Sequence, residues 1–187
     1  MQCSINNKDR LRREMKILRR SLSCDDIRER SNKIYNNIIK TGILEKAENV
    51  CIYMSAFNEV DTSEMINYCL DKGKNVYVPV IEGDDIYICR YEEETEKGAF
   101  GISEPVNKVK KNQSEIDVFI IPGLAFDKKG GRAGFGKGYY DKLMKNTNAL
   151  KVAILYDFQL VDDIEKESHD ILMDYVITES LVIKCEI

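Results

Sequence analysis

The chain has 187 residues, a net charge of -4 and a sequence pI near 5.3. That length suits a single domain over 1–187 with a sizeable core, and the acidic balance argues against a general nucleic-acid binder, which carries a basic footprint. No apolar run approaches the ~18 residues of a membrane-spanning helix, no secretory leader is recognised, and six scattered cysteines without a Cys-x-x-Cys pair read as reduced thiols, so a cytoplasmic protein is expected.

Lys8 to Leu22 has helical spacing, with Leu11, Met15, Leu18 and Leu22 on one stripe and basic residues over the rest. Spacing alone favours a solvated basic face; the sharper alternative is that one or two of these cations reach a polyanion. Ser23 is placed to cap the next helix, with Ile27, Ile34 and Ile38 as its buried stripe and Gly42 at its end. Val50 to Ser55 reads as a strand. After a loop over 56–61, Thr62 should cap a helix carrying Met65, Ile66, Cys69 and Leu70. Asn75 to Val80 is the next strand, with Pro79 as its stop. This order is a βαβ unit with parallel strands and a right-handed crossover. In such sheets ligands collect at the carboxyl ends of strands, and Glu59 lies in a loop of that kind.

Ile86 to Tyr91 alternates like a strand with one face in water, and Lys108 to Ser114 reads as a polar connection. Asp117 to Ile121 is the candidate central strand, and Lys151 to Tyr156 a further buried one. A helix should run from near Tyr139 to Asn146, with short terminal strands at Tyr175 to Thr178 and Leu181 to Lys184. The alternation predicts a three-layer α/β fold, a mostly parallel sheet with helices on both faces. The single histidine, His169, leaves no material for a His-rich zinc site and reads as a structural loop residue.

Five of the eleven glycines fall between Gly130 and Gly138, interleaved with Arg132 and Lys137 and followed by Tyr139, Tyr140 and Asp141. Glycines let backbone N–H groups approach a ligand, and such groups beside cations hold phosphate. Gly131 to Lys137 fits the first seven positions of a P-loop, but Gly138 stands where that loop needs a hydroxyl for magnesium. Nor does the loop directly follow a predicted strand. An ordinary P-loop is therefore excluded. Phosphate binding is retained, with Asp141 available for the metal, because magnesium takes one or two carboxylates plus phosphate oxygens and water. A ligand-free structural turn is the alternative.

Arg132-Ala133-Gly134-Phe135-Gly136-Lys137-Gly138-Tyr139-Tyr140-Asp141 resembles the signature of the 5-formyltetrahydrofolate cyclo-ligase family, Arg-x-Gly-x-Gly-x-Gly-Tyr-Tyr-Asp. Lys8-x-x-x-Arg12, Glu59-Val60-Asp61-Thr62, Gly101-Ile102-Ser103-Glu104-Pro105, Pro122 to Asp127, Gln159, His169-Asp170 and Thr178-Glu179 follow in family order. The resemblance implies a fold of the ribose-5-phosphate isomerase/CoA-transferase type. It also implies ATP-dependent cyclisation of 5-formyltetrahydrofolate to 5,10-methenyltetrahydrofolate, with ADP and phosphate released, through an iminium phosphate attacked by N10. By the same resemblance Lys8, Arg12, Arg132, Gly134, Phe135, Gly136, Lys137, Gly138, Tyr139 and Tyr140 would hold ATP, and Asp141 and Asp170 would hold Mg2+. Met54, Glu59 and Tyr139 would contact the folate, which in some substrates is polyglutamylated. Lys137, Arg132 and Glu59 would carry the chemistry. The other basic residues of the first helix would stay solvated, and a monomer is expected. The competing readings are a phosphometabolite sensor and a sugar-phosphate isomerase. The first lacks a visible DNA-binding module; the second leaves Lys8 and Arg12 unexplained.

Overall fold

The computed structural model describes residues 7–168 and 170–186; the expectations for Cys3 and His169 fall outside them. Helices α1 (Asn7–Arg20), α2 (Cys24–Lys40) and α3 (Ile43–Lys46) precede strand β1 (Asn49–Ile52). Helix α4 (Ser63–Asp71) then leads to β2 (Asn75–Glu82) and β3 (Asp85–Arg90). Short strands β4 (Thr95–Lys97), β5 (Ser103–Pro105) and β6 (Lys110–Lys111) come before β7 (Val118–Ile121). β8 (Ala125–Asp127) and β9 (Arg132–Ala133) frame a tight turn, and α5 (Tyr139–Met144) follows the glycine-rich loop. β10 (Leu150–Ile154), β11 (Leu160–Val161), β12 (Tyr175–Ile177) and β13 (Val182–Lys184) come next.

The main sheet runs β13-β12-β10-β7-β1-β2-β3-β6. Its centre, from β12 to β2, is parallel, and antiparallel strands close both ends. β7 is apolar at every position because both its faces are covered. Strand side chains alternate between faces. Val118 and Ile120 therefore join Ile34 and Ile38 of α2 and Met65 and Ile66 of α4. Phe119 and Ile121 join Leu143 and Met144 of α5, with Phe126 of β8. The α/β fold with a mostly parallel sheet is as expected. A small sheet, β11-β8-β9, lies beside the main one.

Several local expectations are corrected. Pro79 does not stop β2, which continues to Glu82. The last pairing with β1 is Cys51 with Tyr77, so the missing Pro79 N–H costs that ladder no rung. Thr62 stands at the start of α4 but its hydroxyl donates to the Tyr53 carbonyl at 2.7 Å. Asp61 caps instead, its Oδ1 accepting from the Ser63 N–H and hydroxyl. The polar stretch after Lys108 adds β6 to the edge of the sheet. In α1 the buried stripe is Lys8, Leu11, Met15 and Arg19, whereas Leu18 is exposed. Leu11 and Met15 pack on Leu124, Ala125, Ala133 and Ile164. Each such side chain contributes about 1.5–3 kcal/mol when fully buried, which anchors the helix and delivers its cations inward.

The first two glycines of the rich stretch have a structural task. Gly130 has φ of 82°, and a Cβ there would lie 2.5 Å from the Met173 carbonyl oxygen. A Cβ on Gly131 would meet Asp127 Oδ2 at 2.5 Å. Asp127 is fully buried and accepts from the N–H groups of Lys129, Gly131 and Ile164, which fixes the β8–β9 turn. Gly130→Ala should cost about 2–4 kcal/mol, combining left-handed backbone strain with a backbone clash. Urea unfolding checks this; a midpoint equal to wild type would contradict the rigid turn.

Candidate active site

A cleft of about 770 Å³ opens over the carboxyl ends of the parallel strands, where open α/β sheets place their ligands. Tyr53 and Met54 follow β1 into it, Pro122 follows β7, and Pro79 and Ile81 come from β2. Helix α1 forms one wall with Lys8, Arg12 and Arg19.

The second half of the glycine-rich stretch forms the opposite wall. It leaves β9, a two-residue strand of the small sheet, while the P-loop-like segment as a whole begins at Gly131 after the turn that follows β8, so no strand directly precedes it, as expected. Gly136 and Gly138 have φ of 93° and 67°, and Gly138 is the residue before α5. Among the described residues, the N–H groups of Phe135, Gly136, Lys137 and Gly138 make no hydrogen bond. They remain available to an anion, as in other backbone nests. Arg12 Nε donates to the Gly134 carbonyl at 2.8 Å, tying α1 to the loop. Lys137 is exposed on the cleft wall. Tyr139 donates its hydroxyl to the Gly83 carbonyl at 3.1 Å.

Two carboxylates sit against cations. Arg132 Nη2 donates to Asp141 Oδ2 at 2.7 Å, and the guanidinium lies 5.6 Å from the centre of the Tyr140 ring. Arg132 Nε is buried with no acceptor among the described residues. Lys8 Nζ donates to Asp170 Oδ2 at 2.6 Å and to Glu167 Oε1 at 3.2 Å. Burial pulls the Lys8 ammonium down, but the hydrogen bonds it donates to Asp170 and Glu167 outweigh that and its pKa is raised. Asp141 Oδ1 has, among the described residues, a single long contact, accepting from the Ile171 N–H at 3.4 Å. Among the described residues no three metal-ligating side chains cluster. Two hard carboxylate oxygens on one cleft suit magnesium completed by water and phosphate oxygens, rather than an all-protein metal cage.

Glu59 is held at the far side. Its Oε2 accepts from the Ala56 N–H at 3.1 Å, and its Oε1 lies 3.6 Å from Arg19 Nη2. Burial pushes the Glu59 carboxyl above its ordinary value, against the opposing pull of Arg19 and the Ala56 N–H. The hydroxyls of Tyr53 and Tyr156 donate to the carbonyls of Val60 and Glu59, both at 2.9 Å, so the loop is pinned at its base. Burial raises the Tyr53 and Tyr140 hydroxyls too, with Glu59 adding to both.

Every residue singled out for ATP, folate or metal lines this one cleft, from Lys8, Arg12, Met54 and Glu59 through the glycine-rich loop to Asp141 and Asp170. Gln159 does not; its buried amide donates to the carbonyls of Gly123 and Leu124 as a structural clip. The expectation that α1's other cations stay solvated fails at Arg19, which is 3% exposed. Phe57 and Phe100, on the cleft with φ of 51° and 56°, carried no sequence signal. Five described cysteines are unpaired, as reduced thiols require, and no helix of the described residues is long and apolar enough to cross a membrane.

A mostly parallel α/β sheet with one deep, cation-lined cleft at its strand ends defines a ligand-binding α/β enzyme. Residues 4–179 match the 5-formyltetrahydrofolate cyclo-ligase family, and the chain belongs to that family and is a ligase. Among relatives, the 5-formyltetrahydrofolate cyclo-ligase of Escherichia coli is 30% identical over 174 residues, covering 88% of this chain and 96% of that one. The Haemophilus influenzae 5-formyltetrahydrofolate cyclo-ligase is 28% identical over 174 residues, covering 88% and 93%. The solved structure of the Aquifex aeolicus 5,10-methenyltetrahydrofolate synthetase superposes with a TM-score of 0.84 at 35% identity, covering 95% of this chain and 92% of that one.

Proposed function

We propose that the chain converts 5-formyltetrahydrofolate to 5,10-methenyltetrahydrofolate, using ATP and Mg2+. The observation that carries this reading is that the glycine-rich loop, the carboxylates Asp141 and Asp170, and Glu59 meet on one cleft although they come from separate segments. A formamide oxygen is a poor leaving group. Transfer of the γ-phosphoryl group to it releases ADP and leaves an iminium phosphate. The N10 lone pair then forms the new C–N bond, phosphate leaves with the C–O electron pair, and the N10 proton is lost. Such transfer depends mainly on positioning and charge stabilisation.

In this reading Lys8, Arg12, Arg132 and the loop Gly134, Phe135, Gly136, Lys137, Gly138, Tyr139 and Tyr140 hold ATP. Met54, Glu59 and Tyr139 face the folate. Asp141 and Asp170 hold Mg2+, which when bound neutralises charge on the phosphate oxygens. A monomer working in the cytoplasm suffices for these roles. Purified protein with 5-formyltetrahydrofolate, ATP and magnesium should generate the near-ultraviolet absorbance of the methenyl product. No such signal would overturn the reading. Lys137→Ala should raise the KM for ATP or lower kcat, together costing kcat/KM about 10–100-fold, because the lost ammonium is a point charge on the phosphate path. Kinetics equal to wild type would remove Lys137 from the site.

A further inference from the structure

Arg19 is used neither by the glycine-rich signature nor by the reaction scheme, yet it is nearly as buried as the core. Its Nη2 donates to the carbonyls of Phe57 at 2.6 Å and Ala56 at 3.3 Å, and lies 3.6 Å from Glu59 Oε1. Asn58 Nδ2 returns a hydrogen bond to the Arg19 carbonyl at 3.0 Å. The turn so gripped holds two consecutive non-glycine residues in the left-handed region, Phe57 with φ of 51° and Asn58 with φ of 58°. From the opposite wall, the Phe135 ring of the glycine-rich loop lies 5.7 Å from the guanidinium carbon. Among the described residues, Nε and Nη1 of Arg19 are buried with no hydrogen-bond partner.

Fold stability alone gives no reason for this arrangement. A buried cation with unpartnered donors is costly, and an apolar chain of similar length would fill the space without that cost. Strained backbone that the surroundings over-determine tends to mark a working part. The observations share one product: a fixed 56–59 turn with the Glu59 carboxylate aimed into the cleft. The groups facing Glu59 are Arg19, Tyr53 and Tyr140, with the Tyr156 hydroxyl on its carbonyl. Arg19 is the cation among them.

We propose that Arg19 is a positioning residue for the reaction: it locks the 56–59 turn and keeps Glu59 oriented and ionised for the folate. This rests on the folate-cyclising reading above. It differs from a structural pillar in acting on folate turnover and its pH dependence, and not on nucleotide affinity.

The test compares wild type, Arg19→Met and Arg19→Lys in the methenyl absorbance assay, varying 5-formyltetrahydrofolate and ATP separately from acid to neutral pH. In Arg19→Met, kcat/KM for the folate should fall at least about tenfold while KM for ATP stays within about twofold. The acidic limb should move up by about 1–3 pH units, the usual effect of an adjacent opposite charge on a carboxyl group. Arg19→Lys should keep the limb near its wild-type position but recover only part of the folate kcat/KM, because the lysine ammonium ends about one bond short of Nη2, the single nitrogen that grips both carbonyls. An unmoved limb in Arg19→Met, or equal losses toward folate and ATP with a lowered melting temperature, would overturn the inference. If Arg19→Met does not fold, Arg19→Lys decides it: folate kinetics equal to wild type sink the proposal, and a folate-selective loss supports it. A wild type that makes no methenyl product overturns the folate reading and this inference together. An active wild type with an indifferent Arg19→Met overturns the inference alone.

Discussion

Asp141→Asn is expected to lower kcat by about 10²–10³-fold and to push the magnesium requirement to higher concentration, the scale of losing one preorganised charge contact. Asparagine keeps the size of aspartate and one carbonyl oxygen, so packing at the start of α5 is preserved. What disappears is the negative charge that Arg132 meets at 2.7 Å. Two effects then combine. In the proposed reading the metal would lose a charged ligand, and Arg132, whose buried Nε has no acceptor among the described residues, would lose its anion. A magnesium titration of initial rates separates this from the plainer alternative. Asp141 lies in the first turn of α5, where a carboxylate contributes only about 0.3–1 kcal/mol through the helix dipole. If the variant shows that small stability loss with an unaltered magnesium curve, Asp141 is a helix-start residue and no more.

The parts of the site readable in the sequence are those where chemistry leaves a local pattern. Arg132, Lys137 and Asp141 stand out because glycines surround them, and the apolar run of β7 announces its own burial. Arg19 was hidden by the same logic. A cation on a basic helix reads as solvated, and only the tertiary approach of the 56–59 turn makes that position interior. The stripe on α1 that counts is a mixed one, Lys8, Leu11, Met15 and Arg19; hydropathy periodicity saw its two apolar members and substituted Leu18. The glycine-rich stretch looks like one device in the sequence and is two in the fold. Gly130 and Gly131 serve a turn built on Asp127, whereas Gly134, Gly136 and Gly138 line the cleft. Glycine density is visible locally, but the atom that would strike a Cβ belongs to Met173, far along the chain.

Glu59→Gln is expected to reduce kcat/KM for 5-formyltetrahydrofolate by about 10²–10³-fold while leaving ATP binding unchanged, again the scale of one preorganised electrostatic contact. Glutamine keeps an oxygen to accept from the Ala56 N–H, now at 3.1 Å from Oε2, so the turn survives and the loss isolates the charge. The pH profile supplies the sign. Burial raises the Glu59 carboxyl above its ordinary value, so the group takes up its proton at a higher pH than an exposed glutamate does. Activity that needs the carboxylate is therefore complete above that raised value and lost as pH falls through it. The wild-type profile should show this acidic limb, and Glu59→Gln should show a low, flat rate in its place. A limb that persists in the variant belongs to another group. An equal fall in ATP affinity would make Glu59 a support of the cleft as a whole, because the glycine-rich loop reaches the Glu59 turn through Phe135 and Arg19.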